Sequence, residues 1–266
     1  MPTRPGATVD RGGGEMKLSV PKPIHGWRAF VGEVGIIVIG VLIALGAQQV
    51  VEAVRDRQVA DQTRAAVTEE IEQNLLSLSL RGTAEPCIAR RLGELKAMVN
   101  QWGQSGTFVT PLWVAQAPSL DVVFPRYDAA INAGNVALLS REEQYRWGTI
   151  VASLRQFQQI QDAETLEWPI LRMLQDGAGS LSPTDRTAVR HALQRAAYLD
   201  YNARLLIRQV LPRAAGFGFH PDQRRFAEFA KTIWKSGRYT PSICAPIDTP
   251  PAKANAITGQ QVPLAF

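Results

Sequence analysis

The hydrophobic pattern changes character twice along the chain. From Val34 to Ala47 no charged residue interrupts it, and apolar side chains fill every face that a helix would have. A helix apolar all round belongs in a bilayer or in the middle of a large core. Carrying the run on to Val51 gives eighteen residues, or roughly 27 Å of helix, close to a hydrocarbon core of about 30 Å. Trp27 and Phe30 precede it where interfacial aromatics belong, and Arg28 can reach the head groups. The pattern predicts a membrane-spanning helix over 27–51. Ala44, Leu45 and Gly46 offer a small-x-small cleavage site. Against cleavage, the stretch from Gln48 to Arg57 has no glycine or proline, so an uncleaved anchor running on as helix is expected.

At Gln48 the pattern becomes amphipathic. Small or apolar residues recur at Ala47, Val51, Val54, Ala60, Thr63, Val67, Ile71, Leu75 and Leu78, near the 3.6-residue period of a helix. Arg81, Gly82, Thr83 and Pro86 are expected to end it. A second helix is predicted from Pro86 to Trp102, with Ile88, Leu92, Leu95 and Val99 on one face. Residues 103–124, broken by Gly103, Gly106, Pro111 and Pro118, read as loop, and a short helix is expected from Pro125 to Asn132. Ser140 followed by Glu143 is a capping-box pattern. The helix it opens carries Trp147, Ile150, Leu154, Phe157 and Ile160, with a kink or restart expected at Pro169 and a stop at Gly177 to Gly179. Ser182 and Pro183 open another helix, faced by Val189, Leu193, Ala196, Leu205, Leu206 and Val210. Pro221 is expected to begin a final helix bearing Phe226, Phe229, Ala230 and Ile233. No period-two alternation of normal strand length occurs. The predicted class is all-α, an N-terminal transmembrane helix continuing into an irregular helical bundle.

The organisation that follows is a disordered cytoplasmic tail over 1–26, the span over 27–51, a helical soluble domain over 52–240 and an extended, proline-containing tail over 241–266. The tail 1–15 is aperiodic, and Met16 is a candidate start. Its glycines, Gly12 to Gly14, lack the lysine and hydroxyl residue of a phosphate loop.

Composition alters this picture little. The 266 residues are 45% apolar and 20% charged, enough for an ordinary core. The net charge is +5 and the pI near 9.5, yet no run of five like charges and no basic stripe interleaved with aromatics exists, which argues against nucleic acid as a partner. Arg4, Arg11, Lys17, Lys22 and Arg28 precede the span against Asp10, Glu15 and Glu33, a net of +2. Basic residues flank the span almost evenly. The mixed signs after it (Glu52, Arg55, Asp56, Arg57) lean toward an N-terminus inside and a domain outside. Such a domain, in an oxidising compartment, is expected to join Cys87 to Cys244.

Candidate chemistry is sparse. His25, His191 and His220 have no helical i, i+4 spacing and no carboxylate companions, so no metal site is predicted and no cofactor is implied. No nucleophile elbow, Walker loop or dinucleotide fingerprint occurs, and no enzyme is predicted. Glu142, Glu143, Asp162, Glu164 and Glu167 read as a solvated helix face. The turn around Gly134 gathers Arg126, Asp128, Asn132 and Asn135, candidates for a polar pocket. A competing reading has Tyr127 and Ile131 packing, Leu138 and Leu139 stapling the next helix, and Ser140 capping it. In the span, Gly40 and Ala44 form a small-x-x-x-small pair able to seat another helix.

The stretch Phe30 to Glu52, with Gly32-Glu33, then Ile39-Gly40-Val41-Leu42-Ile43-Ala44-Leu45 and Gln48-Gln49, resembles a group of single-span bacterial membrane proteins with no known activity. In that group a helical domain follows the anchor directly, often with a turn like Ala133 to Ser140. The likeness covers residues 28–75, and Val50-Val51 stands where a tryptophan is frequent. It implies a bacterial inner-membrane protein of one span and supplies no activity.

Together these readings favour a membrane-anchored interaction or scaffold protein of the bacterial envelope. Its expected partners are the lipid bilayer and an envelope or membrane protein, possibly a second copy of itself. The alternative is an extracytoplasmic ligand-binding or sensory bundle, although the short segment before the span leaves little room for an output domain.

Overall fold

The computed structural model describes residues 26–175, 181–222, 224–225, 227–228 and 241–249. The tail before 26, the glycine stop at Gly177 to Gly179, the core residues Phe226, Phe229, Ala230 and Ile233 of the expected last helix, and 250–266 lie outside them. The chain divides into two units, residues 1–55 and 56–266.

In the first unit, α1 (Trp27–Thr83) begins. Its apolar side chains, among them Ile36, Val41 and Ile43, are exposed on all sides. The helix is long and apolar enough to cross a membrane.

The second unit is helical, and no strand occurs among the described residues. From Ala60 onward α1 buries one stripe of Val67, Ile71, Leu75 and Leu78, which is the register expected from the sequence. After Ala84 the chain enters α2 (Glu85–Ser105), with Pro86 in the first turn where a missing N–H costs nothing. Gly106, at φ 76°, ends it in the left-handed conformation that glycine adopts without Cβ strain. Helix α3 (Pro125–Asn132) is followed by a 3₁₀ turn, Asn135–Leu138. Ser140 and Glu143 form the expected capping box of α4 (Arg141–Leu171), and Ser182 with Asp185 forms a second one at α5 (Pro183–Gly216).

Pro169 lies inside α4 and does not restart it; the α-helix runs on to Leu171 before tightening into a 3₁₀ turn, Arg172–Leu174. Trp168, Leu171 and Leu174 are all buried there, so packing offsets the hydrogen bond that the proline removes. The chain from 241, expected to be extended, starts as a 3₁₀ turn (Pro241–Cys244) with Ile243 and Ala245 buried.

Ion pairs give the helix directions. Arg64 meets Glu143 and Arg81 meets Glu164, so α1 and α4 run parallel. Arg195 meets Glu167 near one end of α5 and Phe217 follows the other end to meet Tyr145, so α4 and α5 are antiparallel. Glu85 meets Arg204 and Arg208 while Trp102 meets Arg186, which makes α2 and α5 antiparallel as well. The core has two parts. One joins α1, α4 and α5 through Ile71, Leu78, Leu154, Phe157 and Ile207. The other joins α2, the end of α4 and the start of α5 through Leu95, Trp102, Trp168 and Val189.

The segment between α2 and α3 is irregular yet buried at Val114, Ala115, Leu120, Val122 and Phe124. Buried backbone needs partners, and side chains supply them. The amide of Asn74 accepts from Val123 N–H and donates to its carbonyl; Gln161 does the same for Leu120. Gln158 accepts from Val122 N–H, and Arg172 donates to the carbonyl of Val114. Amides on two helices thus stand in for the neighbouring strand that this segment lacks.

Candidate functional site

Helix α3 is held at its start by a carboxylate from another helix. Glu70 accepts the N–H of Arg126 at 2.8 Å and that of Tyr127 at 2.9 Å, satisfying donors that every helix N-terminus leaves open. The Arg126 guanidinium lies 2.7 Å from Glu69. That hydrogen bond and charge raise the guanidinium above its ordinary value and lower the Glu69 carboxyl. Asp128 pairs with Arg155, whose guanidinium stands over the rings of Phe124 and Tyr127. Of the four residues picked out around this turn, Arg126 and Asp128 are engaged in separate ion pairs, while Asn132 is exposed and Asn135 half-buried. None of the four lines either recess described below. Tyr127 and Leu139 pack on the core as expected, whereas Ile131 and Leu138 face outward.

A second cluster is hidden. Arg81 is fully buried, its Nη2 2.9 Å from Glu164 and 3.1 Å from Asp200. The outer oxygen of Asp200 lies 3.1 Å from Arg204, which also faces Glu85 at 3.6 Å. Arg208 reaches the same Glu85 at 2.9 Å. Along α1, α4 and α5 these charges fall between residues of the two apolar clusters: Leu78 and Ala84, Phe157 and Trp168, Ala196 and Ala203. A polar layer therefore divides the core. Burial by itself lowers the Arg81 guanidinium, but the charges and hydrogen bonds of Glu164 and Asp200 outweigh it and hold the group above its ordinary value. Burial pushes the Glu164 carboxyl up, with Arg81 opposing. The Nε and Nη1 of Arg81 have no hydrogen-bond partner among the described residues. Removing one member of such a cluster leaves a buried charge uncompensated.

The carboxylates of α4 thus divide. Glu142 is exposed, but Glu164 and Glu167 are buried, which corrects the expectation of a uniformly solvated face. The sequence carried a sign of this. Arg81 follows Leu78 at the i+3 position of the buried stripe, Glu164 follows Phe157 at i+7, and Asp200 follows Ala196 at i+4. Charged residues at core register mark an internal ion cluster.

Cys87 and Cys244 form a disulfide across a sequence separation of 157 residues. Arg91, buried on α2, donates to the carbonyl of Ala245 at 2.6 Å, and Arg90 donates to that of Cys244. Burial lowers the Arg91 guanidinium. With Ile243 packed beneath, the segment 241–249 is stapled to α2. Closing so long a loop restrains the unfolded chain by about 5 kcal/mol on an entropic estimate.

Gly40 and Ala44 lie on the exposed first part of α1, and a Cβ placed on Gly40 would meet nothing within 4 Å. No group of three or more His, Cys, Asp or Glu able to hold a metal occurs among the described residues. His191 is exposed on α5, and the backbone N–H of His220 donates to Glu72 at 3.0 Å. Two recesses exist. One of about 280 Å³ lies between Glu69, Glu72, Gln73 and Pro221. The other, about 230 Å³, lies between α2 and α5. Comparison of the chain with protein families, with curated proteins and with solved structures finds no match.

Proposed function

We propose that this chain is an interaction or scaffold protein of the bacterial envelope, held in the inner membrane by the first part of α1. Its N-terminus faces the cytoplasm and its helical domain the periplasm. The observation that carries this reading is the coexistence of an apolar helix exposed on every face and a helical domain closed by a disulfide. Lipid is the solvent that suits such a helix, and an oxidising compartment is where such a bond persists. The resemblance of Phe30 to Glu52 to single-span bacterial proteins points the same way. A partner protein, or a second copy seated against Gly40 and Ala44, would use the surfaces that the domain and span present.

The test is thiol labelling of intact cells with a membrane-impermeant maleimide after the outer membrane is opened. Labelling that needs a reductant but not lysis supports a periplasmic, disulfide-bonded domain. Labelling that needs lysis and no reductant would place the domain in the cytosol and defeat the proposal.

A further inference from the structure

The recess between α2 and α5 exists because its walls are small. Ala89 and Gly93 stand one turn apart on α2, Ala197 faces them from α5, and buried Leu92 and Leu193 form the floor. A Cβ on Gly93 would meet nothing within 4 Å, so the opening is not filled by the domain itself. On α2 it runs from Ala89 to Lys96, about two helical turns.

Its two ends differ in charge. At one end Arg204 is matched by Asp200 and Glu85. The antiparallel pairing of Glu85 with Arg204 and of Trp102 with Arg186 sets Lys96 at the other end of the groove, and Arg190 precedes Ala197 by about two turns on the same face of α5. Both are exposed, and neither has a carboxylate partner among the described residues. Helix α5 carries six arginines against Asp185 and Asp200. One turn after Ala197 on α5, Tyr201 is exposed, as are Tyr198 and Leu205 further round the helix. Exposed tyrosines beside arginine and an apolar floor are the composition of a binding surface rather than of idle exterior.

We propose that this groove docks an acidic amphipathic helix of a partner envelope protein, an inference that rests on the interaction reading above. The partner's small and apolar side chains lie against Ala89, Gly93 and Ala197, where small walls permit close helix approach. Two of its carboxylates pair with Lys96 and Arg190, and Tyr201 closes over its flank.

The experiment introduces the photo-crosslinker p-benzoylphenylalanine at Ala197 in the full-length, membrane-embedded chain, with Gln156 on the outside of α4 as a second position. The expected result is an adduct at Ala197 that maps to a segment bearing two carboxylates at helical spacing beside small residues. Lys96→Glu with Arg190→Glu should lower its yield at least tenfold without shifting thermal unfolding of the domain. An adduct to lipid, to a second copy of this chain or to a segment without acids, or a yield indifferent to the charge reversal, would overturn the inference. Adducts from Gln156 and none from Ala197 sink this groove alone; none from either position sinks the interaction reading with it.

Discussion

Arg126 and Arg81 both pair with glutamate across helices, yet their surroundings are opposite. Around Arg126 the pair with Glu69 is half exposed, and around Arg81 both acidic partners are almost wholly shut from water. Outside, each charge keeps its hydration, and the pair contributes little. Inside, hydration is gone, and each charge depends on its neighbours. The same chemistry therefore decorates one region and constrains the other. Near Arg126 the structural weight falls instead on Glu70, whose carboxylate holds the start of α3.

Breaking the inner cluster should have the largest effect. Arg81→Met leaves Glu164 and Asp200 buried without their shared cation, and an unfolding loss of about 4 kcal/mol is expected in chemical denaturation. Replacing all three by apolar residues (Arg81→Met, Glu164→Leu, Asp200→Leu) should recover most of that loss. If the triple variant stays as weak as the single one, the cluster does more than satisfy itself. Next, Glu70→Ala should cost about 1.5 kcal/mol by opening two backbone donors at α3, read by the same denaturation and by faster amide exchange at Arg126 and Tyr127.

A third variant sharpens the contrast through pH. The Arg64 hydrogen bond pulls the Glu143 carboxyl from 4.5 down to about 2. A folded value below the unfolded one means stabilisation is complete above about 4.5 and disappears as pH falls toward 2. Arg64→Met should flatten this part of the acid-unfolding curve by lowering the plateau above about pH 5, while stability near pH 2 stays nearly unchanged. Smallest of all, Arg126→Ala should shift stability by less than about 1 kcal/mol, because its pair with Glu69 is screened. A larger loss would show that the outer cluster is not the decoration its exposure implies.

The helices themselves were legible in residues that act locally. Ser140 with Glu143 and Ser182 with Pro183 start helices where the capping pattern places them, and the apolar stripes of α1, α4 and α5 fall at the expected registers, except that Leu205 of α5, expected on the buried face, is exposed. The polar turn at Gly134 was legible as a turn, whereas the partners of Arg126 and Asp128 were not, since these near neighbours in sequence pair with different helices. At Pro169 the sequence offered a kink or a restart; the helix is not restarted there but runs on to Leu171, with Trp168 and Leu171 buried.

By itself the sequence determined the local elements: an apolar helix from its uniform pattern, caps and stops from single residues, and an all-α class from the missing period of two. Caps, periodicity and hydropathy act within a few residues, so no knowledge of the rest of the chain is needed. Only the tertiary structure decided which charges enter the interior, that amides of Asn74, Gln158 and Gln161 hold the irregular segment, and that small residues on α2 and α5 leave a groove between them. Each of these joins groups far apart in the chain. Whether a charge is buried or a gap remains depends on what another helix brings opposite it, and that is a property of packing rather than of any local stretch.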